Sequence, residues 1–297
     1  MKTKLFTKFL AVVGIMTMIL GYSIQAGAAS FTFTERAGFL VDSGTLSSSD
    51  AGTPFDDIKW YQNTTAGDYQ VAPKAGEFNT IAWGTSNDAA GLLASDPWID
   101  PAFPSIYNVY SAMRVFGQTG NVDSTFNTST SFLSDPEGWV ILTKLFHKNS
   151  SIAAAYYTLT NTSINGELTI TPADYGFPDD KVSSIMFLET LNQEGSCPAG
   201  SPPGTPCPDY FIDVLSTFAP LYFTSGAGQY EVLFDLAPVS FASIDFPSAN
   251  EVRVWTQEGE ISQVNVMLKI AQVPEPASLL LLGLGLLGLG FIKRRKR

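Results

Sequence analysis

The segments 230-YEVLFDL-236 and 264-VNVMLKI-270 decide the fold. In the first, Tyr230, Val232, Phe234 and Leu236 fall on one face, with Glu231 and Asp235 on the other. In the second, Val264, Val266, Leu268 and Ile270 alternate with Asn265 and Lys269 behind a leading Gln263. A period of two is that of a strand with one buried face. Val140–Phe146, Ile152–Thr160, Gly166–Thr171, Val182–Thr190, Tyr210–Leu215 and Glu251–Thr256 read as further strands, and no amphipathic helix interrupts them. Many short β-branched and aromatic runs punctuated by Gly, Asn and Pro predict an all-β fold, a single β-sandwich-like domain over residues 29–272. Two smaller β domains dividing near Ser129–Pro136 are the alternative. Asp42–Thr53 is polar and Gly/Ser-rich and reads as a loop, and Asn165-Gly166 reads as a hairpin turn because both residues tolerate positive φ.

Charge is segregated along the chain. The 297 residues carry a net −11, yet residues 30–272 hold 27 acids against 9 cations, a balance of −18. So acidic a body is repelled by phosphate, which argues against a nucleic-acid partner. One histidine and two cysteines exclude a two-histidine metal site and a four-cysteine zinc site. Cys197 and Cys207 flank the Pro/Gly segment PAGSPPGTP, and in an exported chain such a pair is expected to form a disulfide.

Both ends read as addresses. Lys2, Lys4 and Lys8 precede an apolar run from Phe9 to Leu20, and Ala26-Gly27-Ala28 satisfies the small-x-small rule, so residues 1–28 are expected to be a cleaved signal peptide. At the far end, Ala277 to Ile292 is uncharged and Lys293 to Arg297 is basic. As a helix, residues 277–292 would be ~24 Å long against a hydrocarbon core of about 30 Å, a short span. The basic end should stay cytoplasmic, which places the body outside the inner membrane, tethered by its C-terminus. Gly283, Gly285 and Gly288 spell a nominal dinucleotide fingerprint, but the chain has no βαβ unit around them; they suit close helix approach in a bilayer instead.

With Val273-Pro274-Glu275-Pro276 ahead of that Leu/Gly-rich span and basic cluster, residues 273–297 resemble a PEP-CTERM sorting tail. The resemblance implies a bacterial envelope protein recognised at Pro-Glu-Pro and cut nearby by an exosortase-type enzyme, exposed at the cell surface or released, and commonly associated with exopolysaccharide. The body resembles a family of PEP-CTERM proteins named for a Thr-His-x-Asn motif. The matching residues are Leu145 to Asn149 with His147 and Asn149, Phe187 to Asn192, Cys207-Pro208-Asp209, Trp83-Gly84 and Val254 to Glu258. Phe146 stands where the family has its threonine. That family carries no activity to transfer.

Other candidates are weighed against ordinary structural roles. His147 reads as a turn residue after a strand that, with Asn149, bonds backbone groups, because no nucleophile motif accompanies it. Glu189, Glu194 and Asp209 surround the cysteine loop and could serve as the acid and base of a glycoside hydrolase, the least favoured reading. Asp56-Asp57, Asp96 with Asp100, and Asp179-Asp180 could offer oxygen ligands to a structural Ca²⁺, although none forms an EF-hand loop. Trp60, Tyr61, Trp83, Trp98, Tyr107, Tyr110, Trp139 and Trp255 could stack on sugars. Trp98 between prolines is expected to be exposed and Trp255 buried. Asn63, Asn127, Asn149 and Asn161 begin N-x-S/T sequons, expected to be loop and turn residues. The body is therefore expected to be a non-enzymatic exported matrix protein without a cofactor. A Ca²⁺-assisted carbohydrate-binding module is the alternative.

Overall fold

The computed structural model describes residues 29–40, 45–46, 58–62, 71, 73–84, 91–92, 111–125, 138–150, 158–172, 181–190, 197–203, 207–214, 219–226 and 228–273. The strands are β1 (Ser30–Leu40), β2 (Thr45–Leu46), β3 (Lys59–Tyr61), β4 (Glu77–Phe78), β5 (Thr80–Trp83) and β6 (Gly91–Leu92). Next come β7 (Ser111–Gly117), β8 (Thr119–Thr125), β9 (Val140–Lys148), β10 (Leu159–Thr171), β11 (Lys181–Leu188) and β12 (Asp209–Val214). The chain continues with β13 (Leu221–Ser225), β14 (Gly228–Ser240), β15 (Ala242–Ser248), β16 (Glu251–Thr256) and β17 (Ile261–Gln272). The fold is all-β, and among the described residues no helix is long and apolar enough to cross a membrane. The expected leader 1–28 and the expected span 277–292 lie outside those residues.

Two faces pack on each other. One runs β8–β1–β10–β11–β12–β16–β15, with β4 beside β1 and β2 beside β10. The other runs β13–β14–β17–β9–β7–β5–β3–β6. A short parallel pairing of Ile270 with Ser124 stitches the faces together. The two segments that announced the fold are neighbours: β14 and β17 pair in antiparallel register, Phe234 opposite Leu268 and Val232 opposite Ile270. Strands from either side of Ser129–Pro136 pair directly, β1 with β10, β7 with β9 and β8 with β17.

The chain passes between faces at tight corners. Gly117 ends β7 against β1, where a Cβ would collide with the Glu35 carbonyl oxygen. Phe241, between β14 and β15, has φ 48°, an unusual value for a bulky residue. Its carbonyl accepts from Ser262 Oγ at 2.6 Å and from Gln257 N at 3.0 Å, which holds the corner.

The Asn165-Gly166 hairpin expectation is wrong. Both residues lie inside β10, with Gly38 and Ala37 of β1 opposite them on one side and Val182 and Lys181 of β11 on the other. The Asn165 side-chain amide donates to Glu77 Oε1 at 2.7 Å, and strand pairing on both sides holds a residue that could equally have served a turn.

The core has two parts. One gathers Phe39, Ile58, Trp60, Ile81, Trp83, Met113, Val115, Ile185 and Phe211 with their neighbours. The other gathers Phe31, Phe33, Val122, Ile170, Phe223, Tyr230, Val232, Leu268 and Ile270. On β1 the inward stripe reads Phe31, Phe33, Glu35, Ala37, Phe39, so the Glu35 carboxyl falls between the second cluster, which holds Phe31 and Phe33, and the first, which holds Ala37 and Phe39.

Candidate functional site

β11, β12 and β16 are adjacent and antiparallel, so Glu189 just past β11, Asp209 opening β12 and Glu258 just past β16 meet at one end of the face. Asp209 and Glu258 are buried. Burial raises the Glu189 carboxyl far above the usual carboxylate range, and the charges of Asp209 and Glu258 push it the same way. Burial also raises Asp209, against hydrogen bonds from Thr190, whose backbone N donates to Oδ1 at 2.6 Å. Carboxyls crowded in a dry place hold protons, because they cannot all ionise there. Among the described residues no three His, Cys, Asp or Glu side chains are placed to hold a metal ion.

His147 and Asn149 stand beside this trio. His147 is not a turn residue: it lies within β9, 4% exposed, stacked at 5.7 Å on Trp83. Its Nδ1 is 2.9 Å from Thr256 Oγ1, a side-chain partner rather than a backbone group. Asn149 donates to the Thr256 carbonyl at 3.0 Å, and its own backbone exchanges bonds with Glu260 and Gly259. The His-x-Asn pair therefore clips the end of β9 to the turn joining β16 and β17. At 1% exposed, Asn149 is closed to glycosylation in the folded chain, which removes one sequon.

Cys197 and Cys207 form the expected disulfide. The loop folds over the outer side of β16, where Gly200, at φ +88°, rests on the Arg253 guanidinium. Arg253 Nε donates to Asp245 Oδ1 at 2.8 Å, Trp255 Nε1 donates to the same oxygen at 3.1 Å, and the guanidinium lies 4.5 Å over the Trp255 ring. Arg253 holds the Asp245 carboxyl below its ordinary value. Trp255 is buried as expected, but beneath this loop, since its strand neighbours Val254 and Val252 alternate inwards. Reducing the bridge is expected to lower unfolding stability by about 3 kcal/mol, the chain-entropy value for a short loop, as measured by urea melts with and without reductant.

Titration should follow these buried groups. Burial pushes Glu35 up to about 8 from 4.5, against hydrogen bonds from Thr143 and the Gln118 backbone and the charge of Arg36. Between those pH values the folded chain holds a proton that the unfolded chain has lost, so stability falls as pH rises, by about 1.4 kcal/mol per pH unit. Glu189 and Asp209 act in the same direction. His147 is lowered by burial from 6.5 to about 3, so its contribution is lost only as pH falls below 6.5. From pH 6.5 to 8 thermal melts are therefore expected to show a falling Tm, with a shallower slope in Glu35→Gln. A flat profile in the native chain contradicts this.

Of the remaining candidates, Trp60 and Trp83 are core residues and Tyr61 and Trp139 are half-buried. Glu194, Trp98, Tyr107, Tyr110, Asn63, Asn127, Asp56, Asp57, Asp96, Asp100, Asp179 and Asp180 lie outside the described residues. So do Ala26, Ala28, Pro274, Glu275 and Pro276. Val273 is described: its N–H donates to Gln229 at 2.8 Å, the last tie of β17 before a proline that has no N–H to continue the ladder.

Fold and site thus define an all-β, disulfide-clamped body whose last strand runs directly into a short tail. Residues 272–296 match the PEP-CTERM protein-sorting motif, so the chain carries the tail of an exported protein sorted through an exosortase. No curated protein matches it.

Proposed function

We propose that the β body is a non-catalytic component of an extracellular exopolysaccharide matrix. It is delivered by the leader, held by residues 277–292 and released to the surface or medium by an exosortase-type cut near Pro274–Pro276. The observation that carries this reading is the sorting motif at 272–296, which begins on the last residue of β17. The cross-link over β16 and the −18 balance of residues 30–272 suit a domain working outside the cell among hydrated polymers. In fractionated biofilm the protein is expected to sediment with polysaccharide and to lose that association in cells making none. Equal distribution in both strains overturns the reading.

A Ca²⁺-assisted carbohydrate-binding module is a second reading, favoured by rings open to solvent at Tyr222, 64% exposed, and Phe246, 63% exposed. Calorimetry with purified polysaccharide, with and without Ca²⁺, separates it from the first. A glycoside hydrolase would use the raised Glu189 as acid beside Asp209. The cavity between the two faces, however, is lined by neither. Release of reducing sugar that disappears in Glu189→Gln would establish it.

A further inference from the structure

The two halves of the core do not meet. Between them lies a cavity of about 150 Å³, lined on one face by Ala37, Gly166 and Ile185 and on the other by Leu142, Leu145 and Val264, with further apolar neighbours from both clusters. Its origin is legible residue by residue. Ala37 and Gly166 are directly paired across β1 and β10, and neither has a side chain long enough to reach the opposite face. A bulge at Leu142 in β9, where the register against β17 shifts between Val266 and Met267, brings both Leu142 and Thr143 into the wall. Leu168, Leu221 and Phe234 line the same space and remain half-buried.

The wall is mostly apolar, with Glu35 of β1 and, from its neighbours, Thr143, Glu167, Ser183 and Asp213 as its polar residues. Glu35 is 4% exposed, and its Oε2 has no hydrogen-bond partner. The neighbouring polar pair is satisfied internally, Ser183 Oγ donating to Asp213 Oδ1 at 2.5 Å. A packed interior normally fills such a hollow. Here it stays open beside a carboxyl that Thr143 and the Gln118 backbone bond but whose Oε2 is left unpaired. Apolar cavities of about this size accept guests as large as benzene.

We propose that this cavity is a binding site for a small apolar molecule, a ring or chain of about six to eight heavy atoms, bearing one hydrogen-bond-accepting oxygen that meets Glu35. Ketones, alcohols and short esters have that chemistry, whereas a carboxylate would bring a charge into an apolar chamber. The site is independent of the carboxyl trio and of any polysaccharide contact.

Cyclohexanone and methylcyclohexane, nearly the same size, differ in the oxygen and serve as probes. Each is titrated calorimetrically into the full chain in lipid nanodiscs, with empty nanodiscs as the blank. Saturable one-site binding of cyclohexanone is expected, about tenfold tighter than methylcyclohexane. Glu35→Leu should erase that preference, and Ala37→Leu, which grows into the chamber, should weaken both probes by at least about tenfold. No saturable heat above the blank with the native chain overturns the proposal, as does unchanged affinity in a folded Ala37→Leu variant. Should Ala37→Leu fail to fold, the native titration and the Glu35→Leu comparison decide it.

Discussion

Trimming Trp83 to alanine is expected to lower unfolding stability by about 3–5 kcal/mol, a large share of the 5–15 kcal/mol typical of a domain. Trp83 closes β5 at 1% exposure, with its ring 5.7 Å from His147 and 5.5 Å from Phe187. Phe187 in turn lies 5.7 Å from Phe211, so the indole ties the β5–β7–β9 side to β11 and β12. Its loss leaves a cavity that three rings from two faces cannot close without moving the strands that carry them. Trp83→Phe retains part of the contact and should lose clearly less. Urea denaturation monitored by far-ultraviolet circular dichroism measures both variants, and a loss below about 1 kcal/mol for the alanine variant would contradict this packing.

Replacing Pro274, Glu275 and Pro276 together by alanine is expected to change the fate of the whole chain. The body should fold as before, because β17 ends at Gln272 and its last bond, from Val273, precedes the change. Recognition should fail, and the protein should accumulate uncut in the membrane fraction of cells that otherwise release it. Immunoblots of membrane, surface and medium fractions read this shift. Normal release would mean that sorting does not use the Pro-Glu-Pro residues.

The strands with clean alternation could be read directly. In β14 and β17 the apolar residues at Tyr230, Val232, Val264, Leu268 and Ile270 follow the pleat and are buried, as are Val252 and Val254 of β16, although the other face of β17 is covered too, with Met267, Lys269 and Ala271 buried. β1 alternates as well, but its inward stripe is broken by Glu35 and it closely follows the apolar run Phe9–Leu20, so its period is harder to read. Asn165-Gly166 misled because a dipeptide that tolerates positive φ is not obliged to adopt it, and β1 and β11 were already waiting on either side. Trp83, His147 and Asn149 could be singled out by residue type, yet only the pairing of β5, β7 and β9 places the ring on the imidazole. The carboxyl trio was half visible. Glu189 and Asp209 stood near the cysteines in the sequence, whereas Glu258 joins them only through the antiparallel order of β11, β12 and β16. The cavity left no trace in the sequence, because it depends on which small residue of β1 faces which of β10.

Intact mass of the protein recovered from the medium or cell surface of an exosortase-positive strain addresses the central claim most directly. The account predicts a chain that begins after Ala28, ends near Pro274–Pro276 and lacks Lys293 to Arg297, with the longer form replacing it when the exosortase is deleted. A single species still ending in Arg297 and dissolved in the cytoplasm of both strains would contradict it.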